Sequence, residues 1–235
     1  MEENKAIEYL MHFGLSRQEA SVYERLLVRG KQTGYEIAKD AGISRSNAYT
    51  SLASLVEKGA AYLVEESAKK YIPVRPEEFC GNRIRRMEEE KQWLAKNLAG
   101  APVEEDGYIT VEGEANIRDK LSTLMEKAQE RVYLSCSETQ LELLRDKLTE
   151  LVKRGRKVVL ITDRGFVLEG AVVYVTEPKG NQIGLIADSK YVLSGELGED
   201  SMNTCLYSGR KNFVMLFKTA LANEIELIKI REGDK

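Results

Sequence analysis

The chain has 235 residues, 31% of them charged and 43% hydrophobic, with a formal net charge of −3. This composition is typical of a globular protein and excludes a disordered one, and the length accommodates one large or two modest domains. No apolar run approaches the roughly 20 residues that cross a bilayer, and the acidic start does not resemble a secretory signal. We therefore expect a cytoplasmic protein without a membrane segment.

The cysteine and histidine counts exclude several kinds of site. Three cysteines, Cys80, Cys136 and Cys205, are odd in number and far apart, which favours neither a disulfide framework nor a zinc site. The one histidine, His12, lies in a predicted N-terminal helix, so no histidine is available elsewhere. We expect no cofactor and no metal, and whether Cys136 or Cys205 has a redox role stays open.

The first 75 residues are predicted to begin with four short helices. The first has apolar residues at helical spacing and stops at Gly14. Capping boxes at Ser16–Glu19 and Thr33–Glu36 open the second and third, and Ser44 can cap a fourth that runs to Gly59. The second helix is expected to turn four residues toward the core: Ala20, Tyr23, Leu26 and Leu27.

The spacing of the last two helices predicts a DNA-binding motif. Their connection is only Gly42-Ile43-Ser44, as in a helix-turn-helix. Two strand-like runs follow, residues 60–66 and 69–74, around a polar turn at Ser67-Ala68. A helix-turn-helix followed by a hairpin is a winged helix.

The fourth helix has a polar face of short side chains. At 100° per residue the predicted buried stripe is Ala48, Leu52, Leu55 and Val56, and the opposite face is Ser46, Asn47, Thr50, Ala53 and Ser54. Short side chains let a helix approach the floor of a DNA groove, where Asn pairs with adenine and Ser or Thr with several bases. Arg45 can reach guanine or a phosphate, and Lys69 and Lys70 stand at the tip of the wing. Two other interpretations remain: plain helix capping, and packing against a partner protein.

Residues 76–100 are predicted to form a long connecting helix. A heptad seam of 4-3-4-3-4 spacing runs along it: Cys80, Ile84, Met87, Lys91, Leu94 and Leu98. Such a seam is too short for a stable coiled coil alone, but it can pair two chains when flanking domains help. The alternative is a helix that packs on its own domain.

The remaining residues, 101–235, are expected to form a domain of alternating helices and strands. After a linker at residues 100–108, near-continuous β-branched runs predict a mostly parallel sheet covered on both faces, with a hairpin-like pair at residues 183–188 and 191–195. One helix is expected over residues 141–152.

In open α/β sheets, ligands bind beyond the carboxyl ends of the strands. The polar residues at predicted strand ends are Ser135, Ser137, Thr162, Asp163 and Asp188. Of these, Ser135, Ser137, Asp163 and Asp188 are the candidates for binding a small-molecule effector.

Residues 14–75 and the positions just after them contain a series of short motifs: Leu15-Ser16, Glu19-Ala20, Val22-Tyr23, Ile37-Ala38, Ser44-Arg45-Ser46, Ala48-Tyr49, Leu55, Glu57-Lys58-Gly59, and Tyr71 with Pro76-Glu77-Glu78. With these motifs, the segment resembles the winged helix of the TrmB-like transcriptional regulators. The resemblance covers about a quarter of the chain and departs at Ala60-Ala61, where leucine and valine are usual. It implies that operator DNA is read by Ser44, Arg45, Ser46, Asn47, Tyr49 and Thr50, with Lys69 and Lys70 on the wing.

Residues 108–230 resemble, more loosely, the phospholipase D-like effector domain of that family. Enzymes of that fold use a His–Lys–Asp motif in which the histidine is the nucleophile. When Asp188 is aligned with the motif's aspartate, Ile183 and Asn181 occupy the lysine and histidine positions. The nucleophile is absent, so we expect no phosphodiester chemistry and a structural or ligand-facing Asp188. Some relatives bind sugars, but this chain lacks their extra C-terminal region, which weakens a sugar as the expected effector.

The expected architecture is multidomain, α+β and α/β. It consists of a winged helix-turn-helix (1–75), a connecting or dimerisation helix with a short coiled-coil seam (76–100) and a phospholipase D-like α/β domain (101–235) that serves either for effector binding or for dimerisation alone. The expected function is that of a homodimeric, operator-binding transcriptional regulator controlled by a small molecule, and not of an enzyme. The alternatives are a winged helix that contacts only proteins and a phosphodiesterase. The operator sequence, the effector and the direction of regulation are not readable from the sequence.

Overall fold

The computed structural model describes residues 2–66, 68–98, 100 and 107–233. The chain folds as two compact units, Met1–Ala101 and Pro102–Lys235. The predicted turn residue Ser67 and most of the predicted linker, residues 101–106, lie outside the described residues. Within the described ranges, no helix is both long and apolar enough to cross a membrane.

The first unit is a winged helix followed by a long helix. Its helices are α1 (Glu2–His12), α2 (Arg17–Arg29), α3 (Gly34–Ala41), α4 (Arg45–Glu57) and α5 (Pro76–Asn97). Its strands are β1 (Gln32–Thr33), β2 (Ala61–Glu65) and β3 (Lys69–Pro73), which pair antiparallel in the order β1-β3-β2. The predicted helices and hairpin are confirmed, whereas β1 was not anticipated because two residues carry no periodicity.

Both capping boxes form as predicted. The Ser16 hydroxyl accepts from the Glu19 N–H, and the Glu19 carboxylate accepts from the Ser16 N–H at 2.7 Å. Thr33 and Glu36 make the same reciprocal pair at the start of α3. Gly42 ends α3 in the left-handed region with φ 63°, which only glycine adopts without strain. The tight turn into α4 therefore follows directly from local sequence.

The core of this unit lies between α2, α3, α4 and the wing. Ala20, Tyr23 and Leu26 are fully buried, as expected. The prediction for Leu27 is wrong: its side chain is exposed, and Val22 is buried in its place, because the buried stripe of α2 is rotated toward Val22. The Tyr23 hydroxyl donates to the Val74 carbonyl at 2.6 Å, which ties α2 to the end of the wing.

A buried carboxylate joins the beginning of α2 to the end of α4. Glu19 Oε2 accepts from Lys58 Nζ at 2.6 Å as well as from the backbone of Ser16. Burial raises the pKa of Glu19, but hydrogen bonds from Lys58, Ser16 and Ser54 lower it by more, to about 2. The same carboxylate thus caps one helix and fixes the position of another.

The connecting helix α5 is attached at its beginning and exposed beyond it. Phe79 is buried beside Tyr23, and Cys80 packs partly on the same core. Further along, the predicted seam faces solvent, with Ile84, Met87, Leu94 and Leu98 between 46% and 69% exposed. Within its own unit, therefore, the described structure leaves this seam uncovered.

The second unit is a seven-stranded sheet with helices on both faces. Its strands are β4 (Ile109–Glu112), β5 (Arg131–Ser135), β6 (Lys157–Thr162), β7 (Val172–Val175), β8 (Gln182–Ala187), β9 (Tyr191–Glu196) and β10 (Thr204–Ser208). Its helices are α6 (Glu114–Lys127), α7 (Glu138–Leu143), α8 (Arg145–Lys153) and α9 (Lys211–Gly233). The strand order is β4-β10-β9-β8-β5-β6-β7.

Two expectations for this unit need correction. The sheet is not mostly parallel: among the described strands only β5–β6 and β6–β7 pair parallel, and the other four pairs are antiparallel. The hairpin-like pair expected at residues 183–188 and 191–195 is confirmed, since β8 and β9 pair antiparallel. The single helix expected over residues 141–152 is two helices, which meet at Leu144. The strands β4 and β10 were missed.

The two faces of the sheet have different cores. One face packs on α6 and α8, where Ile117, Leu121 and Leu148 are fully buried. The other face packs on α9 through a smaller cluster of Ile186, Val192 and Val214. Because α9 covers only part of its face, open space remains between the helix and the sheet on either side of that cluster.

The Glu19–Lys58 pair predicts a pH-dependent stability. A carboxylate whose pKa is depressed when folded contributes stability that is complete above its ordinary pKa of 4.5 and is lost as the pH falls toward about 2. We expect Glu19→Gln to lower the free energy of unfolding by about 2 kcal/mol at pH 7 and by much less at pH 3. Urea denaturation followed by circular dichroism at both values measures this. Glu57→Gln, at an exposed position in α4, is the control, and an equal loss at both pH values would contradict the assignment.

Candidate nucleic-acid interface

The outward face of α4 carries the short polar residues that the sequence predicted. Arg45, Ser46, Asn47, Tyr49 and Thr50 are all exposed. On the inner face Ala48, Leu52 and Leu55 are buried, whereas Val56 is half-buried. Ser51 is also buried and was not anticipated, and Ser54 is half-buried near Glu19 rather than fully outward. The exposed polar face is therefore concentrated in the first two turns.

The N-terminus of α4 is electrostatically open. The Ser44 hydroxyl accepts from the Asn47 N–H at 3.2 Å, so Ser44 is a helix cap. No acidic residue lies in the first turn of α4, whereas Glu19 and Glu36 occupy the first turns of α2 and α3. The positive end of the α4 dipole is thus uncompensated by an acidic side chain in that turn, which favours an approaching phosphate.

Two tyrosines position the flank of this face. The Arg45 guanidinium lies 4.5 Å from the ring centroid of Tyr35, which is itself half exposed. The Tyr49 ring lies against Gly34, where an added Cβ would come within 2.5 Å of the ring. Glycine at position 34 is therefore required for the observed placement of Tyr49, a constraint that sequence patterns alone did not reveal.

The two wing lysines differ in their surroundings. Lys69 is exposed and makes no ion pair with any described residue. Lys70 Nζ lies 3.0 Å from Glu66, whose carboxylate also binds Lys31. Hydrogen bonds from Lys31 and from Lys70 lower the pKa of Glu66. The charge of Lys70 is thus partly neutralised by a glutamate that the sequence interpretation had not considered.

In the second unit, one of the predicted effector residues lines a cavity. The cavity has a volume of about 420 Å³ and lies between α9 and the sheet. The strand register puts Ser135, Gly184 and Ser194 in one row across β5, β8 and β9, and Gln182 opposite Glu196 in the next row. At the rim, Lys179 and Glu224 form an ion pair. Hydroxyl, carboxamide and charged groups thus meet beside the apolar cluster under α9.

Ser137 and Asp163 have structural roles near the same edge of the sheet. Ser137 caps α7, its hydroxyl accepting from the Gln140 N–H. Asp163 accepts from the N–H groups of Glu138 and Lys179 at 3.0 and 3.2 Å. Burial raises the pKa of Asp163, but these backbone hydrogen bonds outweigh it and lower the pKa. Both side chains therefore fasten loops around the cavity, and neither lines it.

Asp188 does not lie with the other predicted effector residues. Because β8 runs antiparallel to β5, its carboxyl end lies beside Arg131, at the beginning of β5, whereas Ser135 is at the end of β5. There Asp188 accepts from three backbone N–H groups, those of Gln129, Glu130 and Arg131, at 2.8 to 2.9 Å. Asp188 therefore lies apart from Ser135, Ser137 and Asp163, and its carboxylate is held by the backbone that leads into β5.

Two cysteines of this unit are poorly suited to redox sensing. Cys136 and Cys205 are both buried. Burial raises the pKa of Cys136 to about 12 and that of Cys205 to about 11. A thiol of such high pKa is almost wholly protonated at neutral pH and reacts slowly. No group of three or more metal-ligating side chains is found in the described part of the chain.

These features define a winged helix-turn-helix protein with a second, sheet-containing domain. The family model described as the sugar-specific transcriptional regulator TrmB matches residues 10–77. The model described as the N-terminal subdomain of the TrmB effector-binding domain (EBD) matches residues 107–196. The chain belongs to the TrmB family of DNA-binding transcriptional regulators.

Curated relatives agree with this assignment. The chain is 28% identical over 168 residues to the HTH-type sugar sensing transcriptional regulator TrmBL1 of Pyrococcus furiosus, covering 68% of this chain but 48% of that one. It is 25% identical over 222 residues to the transcriptional repressor TrmBL2 of Thermococcus kodakarensis, covering 86% and 84%. An uncharacterized protein of Bacillus subtilis, YrhO, is 24% identical over 98% of this chain and 87% of its own length.

Two solved structures are also similar. The archaeal chromatin protein TrmBL2 aligns with 96% of this chain and 99% of its own at 22% identity, with a TM-score of 0.46. Nuc from Salmonella typhimurium, a phospholipase D family member, aligns with 50% of this chain and 92% of its own at 12% identity, with a TM-score of 0.41.

The difference between the wing lysines predicts unequal contributions to nucleic-acid binding. The slope of log affinity against log salt is negative, and we expect Lys69→Gln to reduce its magnitude by about one unit, as for the loss of one phosphate contact. Lys70→Gln should lower it by clearly less, because Glu66 already neutralises that charge. Fluorescence anisotropy of a labelled duplex over a series of salt concentrations measures both slopes. Glu66→Gln serves as the reciprocal test, since freeing Lys31 and Lys70 should strengthen binding; equal slopes for both lysine variants would oppose this account.

Proposed function

We propose that the protein is a homodimeric, sequence-specific transcriptional regulator that inserts α4 into the major groove of operator DNA. The observation that carries the proposal is the exposed face of Ser46, Asn47 and Thr50 on a helix without an acidic residue in its first turn. Short side chains permit close approach to base edges, and the open helix end favours phosphate. Membership of a family of DNA-binding regulators supports the same function.

Each exposed residue of α4 has a proposed role in reading DNA. Asn47 has the amide that pairs with adenine, and Ser46 and Thr50 can accept or donate to several bases. Arg45 can bind guanine or a phosphate, and Tyr49 contacts the sugar-phosphate backbone at the flank. Ser44 uses its hydroxyl to cap the helix and contributes through the backbone of the helix end. On the wing, Lys69 contacts a phosphate more effectively than Lys70.

The dimer is proposed to form through the exposed seam of α5. Ile84, Met87 and Leu94 expose apolar side chains at heptad spacing on a helix of 22 residues. Lys91 in the same seam is an exposed charge paired with Glu88 on its own helix. A pair of chains would present two α4 helices to half-sites separated by about one helical turn of DNA, or a multiple of it.

A small-molecule effector is proposed to bind the 420 Å³ cavity lined by Ser135 and Ser194. A floor of hydroxyl groups, with Gln182 and Glu196 beside it, suits a ligand rich in hydroxyl groups. The family model and TrmBL1 are both described as sugar regulators, which makes a sugar the first candidate. Ser137 and Asp163 then act by holding the loops around this cavity, whereas Asp188 fastens the backbone at the opposite end of β5.

Catalysis by a phospholipase D mechanism is not supported. That mechanism needs a histidine nucleophile, and the only histidine of the chain, His12, belongs to α1 in the other unit. A winged helix that contacts only proteins is also less favoured, because Ser46, Asn47 and Thr50 offer little apolar area to a protein partner.

We expect Arg45→Ala to weaken binding to a specific operator by about 1–3 kcal/mol if Arg45 reads a base. Operator fragments are first obtained by genome-wide footprinting, and dissociation constants are then measured by anisotropy on operator and scrambled duplexes. Loss of a base contact lowers the affinity for the operator more than that for the scrambled duplex, whereas loss of a phosphate contact lowers both affinities alike. Arg85→Ala, on the exposed surface of α5, is the control. Unchanged affinity for both duplexes would remove Arg45 from the interface.

We expect the double substitution Ile84→Asp with Leu94→Asp to convert the dimer to a monomer, because it places charges within an apolar seam. Analytical ultracentrifugation measures the mass in solution. Arg86→Asp with Glu90→Lys, which changes exposed charges outside the seam, is the matched control. A dimer that persists in the seam variant would assign dimerisation to another surface.

We expect a sugar or a related polar ligand to raise the melting temperature of the protein through the cavity at Ser135. A screen of maltose, trehalose, inorganic phosphate and AMP by differential scanning fluorimetry tests the proposal. Gly184→Leu fills the floor of the cavity, where an added Cβ meets only Ser194 Oγ at 3.8 Å, and should abolish the shift. Gly165→Leu, at an exposed loop position with open space around it, is the control. A flat response with every ligand would count against the effector proposal.

A further inference from the structure

A second cavity lies on the same face of the sheet, on the other side of α9. Its volume is about 350 Å³. The register of four neighbouring strands aligns Ile186, Tyr133, Val159 and Val172 in one row, and cross-strand partners point to the same face. Tyr174, two residues beyond Val172, extends the floor along the edge strand β7. This floor is apolar and aromatic, unlike the hydroxyl-lined floor at Ser135.

Lysines stand at the rim of this cavity. Lys157 lies two residues before Val159 on β6 and therefore on the same face, and Lys218 projects from α9. A third lysine, Lys229, has its Nζ 5.7 Å from the ring centroid of Tyr174. No acidic side chain lines the cavity within the described structure, and neither Lys157 nor Lys218 makes an ion pair with a described residue. The rim thus carries positive charge that the protein itself does not balance.

We propose that this cavity binds a small amphipathic carboxylate, an acyl chain of about ten carbons whose head lies between Lys157 and Lys218. The chain would cover Tyr133, Val172 and Tyr174, and the carboxylate would pair with the two ammonium groups. The volume lies at the lower end of the roughly 300–1,000 Å³ typical of ligand cavities, which suits one short chain.

Charge separates this ligand from the effector proposed at Ser135. The lining of the Ser135 cavity includes Glu196, which would repel a carboxylate, and its one lysine, Lys179, is already paired with Glu224. The second cavity has only cationic groups at its rim and exposes apolar surface, including Val172 at 45%. Binding there requires neither an effector in the first cavity nor DNA at α4, although Ile186 and Leu221 line both cavities.

Isothermal titration calorimetry of the full chain with decanoate tests the proposal, with decanol and decylamine as neutral and cationic ligands of the same length. We expect decanoate to bind and both other ligands to bind at least about tenfold more weakly. The double substitution Lys157→Gln with Lys218→Gln should weaken the affinity for decanoate by about tenfold, since each exposed charge pair contributes up to about a factor of five to the binding constant. Lys153→Gln, at an exposed position on α8 across the sheet, should change nothing.

A second variant keeps the test independent of charge. Ala222→Trp, at an exposed position of α9 that lines the cavity, should fill it and abolish decanoate binding without lowering the melting temperature. Equal binding of decanoate and decanol, unchanged affinity in the double lysine variant, or full binding by Ala222→Trp would each overturn the proposal. Absence of measurable decanoate binding to the wild-type chain would overturn it as well.

Discussion

The winged helix depends on one carboxylate that serves two helices. Glu19 closes the capping box of α2 and receives Lys58 from the end of α4, so a short-range and a long-range contact share the same oxygen. The position of α4 relative to α2 is thereby fixed at its far end, while Leu52 and Leu55 fix its middle by burial. Because the inner face and the C-terminal end already hold the helix in place, the outward face is not needed for packing and can consist of short polar residues.

The local features of the first unit could be predicted because their causes lie within a few residues. A capping box needs partners three positions apart, and the turn at Gly42 needs one residue with a positive φ. The sheet of the second unit was harder, since pairing direction depends on which strands meet. The hairpin of β8 and β9 was expected, but β8 was taken to run parallel to β5 because both faces of the sheet are covered, and Asp188 was placed at the wrong edge as a consequence.

The candidate interface was predictable in its helix and less so in its wing. The exposed face of α4 follows from helical periodicity, so Ser46, Asn47 and Thr50 were found from sequence. The partial neutralisation of Lys70 was harder to predict, because its partner Glu66 is held by Lys31, which is 35 residues away in the sequence. The contact between Gly34 and Tyr49 likewise joins two helices and leaves no periodic signal. The cavities on either side of α9 were not foreseen as such, since they depend on strand register and on how much of the sheet that helix covers.

The pairing of β4 with β10 sets an order for folding during synthesis. Residues 109–112 pair with residues near 204–207, and Ser208 also donates to the carbonyl of Gly107 at 2.7 Å. The first strand of this domain therefore waits unpaired while about ninety residues leave the ribosome. The contacts of the winged helix are all between residues that have been synthesised by then, so this unit can fold during the same interval. A nascent chain halted before β10 would then carry a finished DNA-binding unit ahead of a sheet with an open edge, a natural target for chaperones.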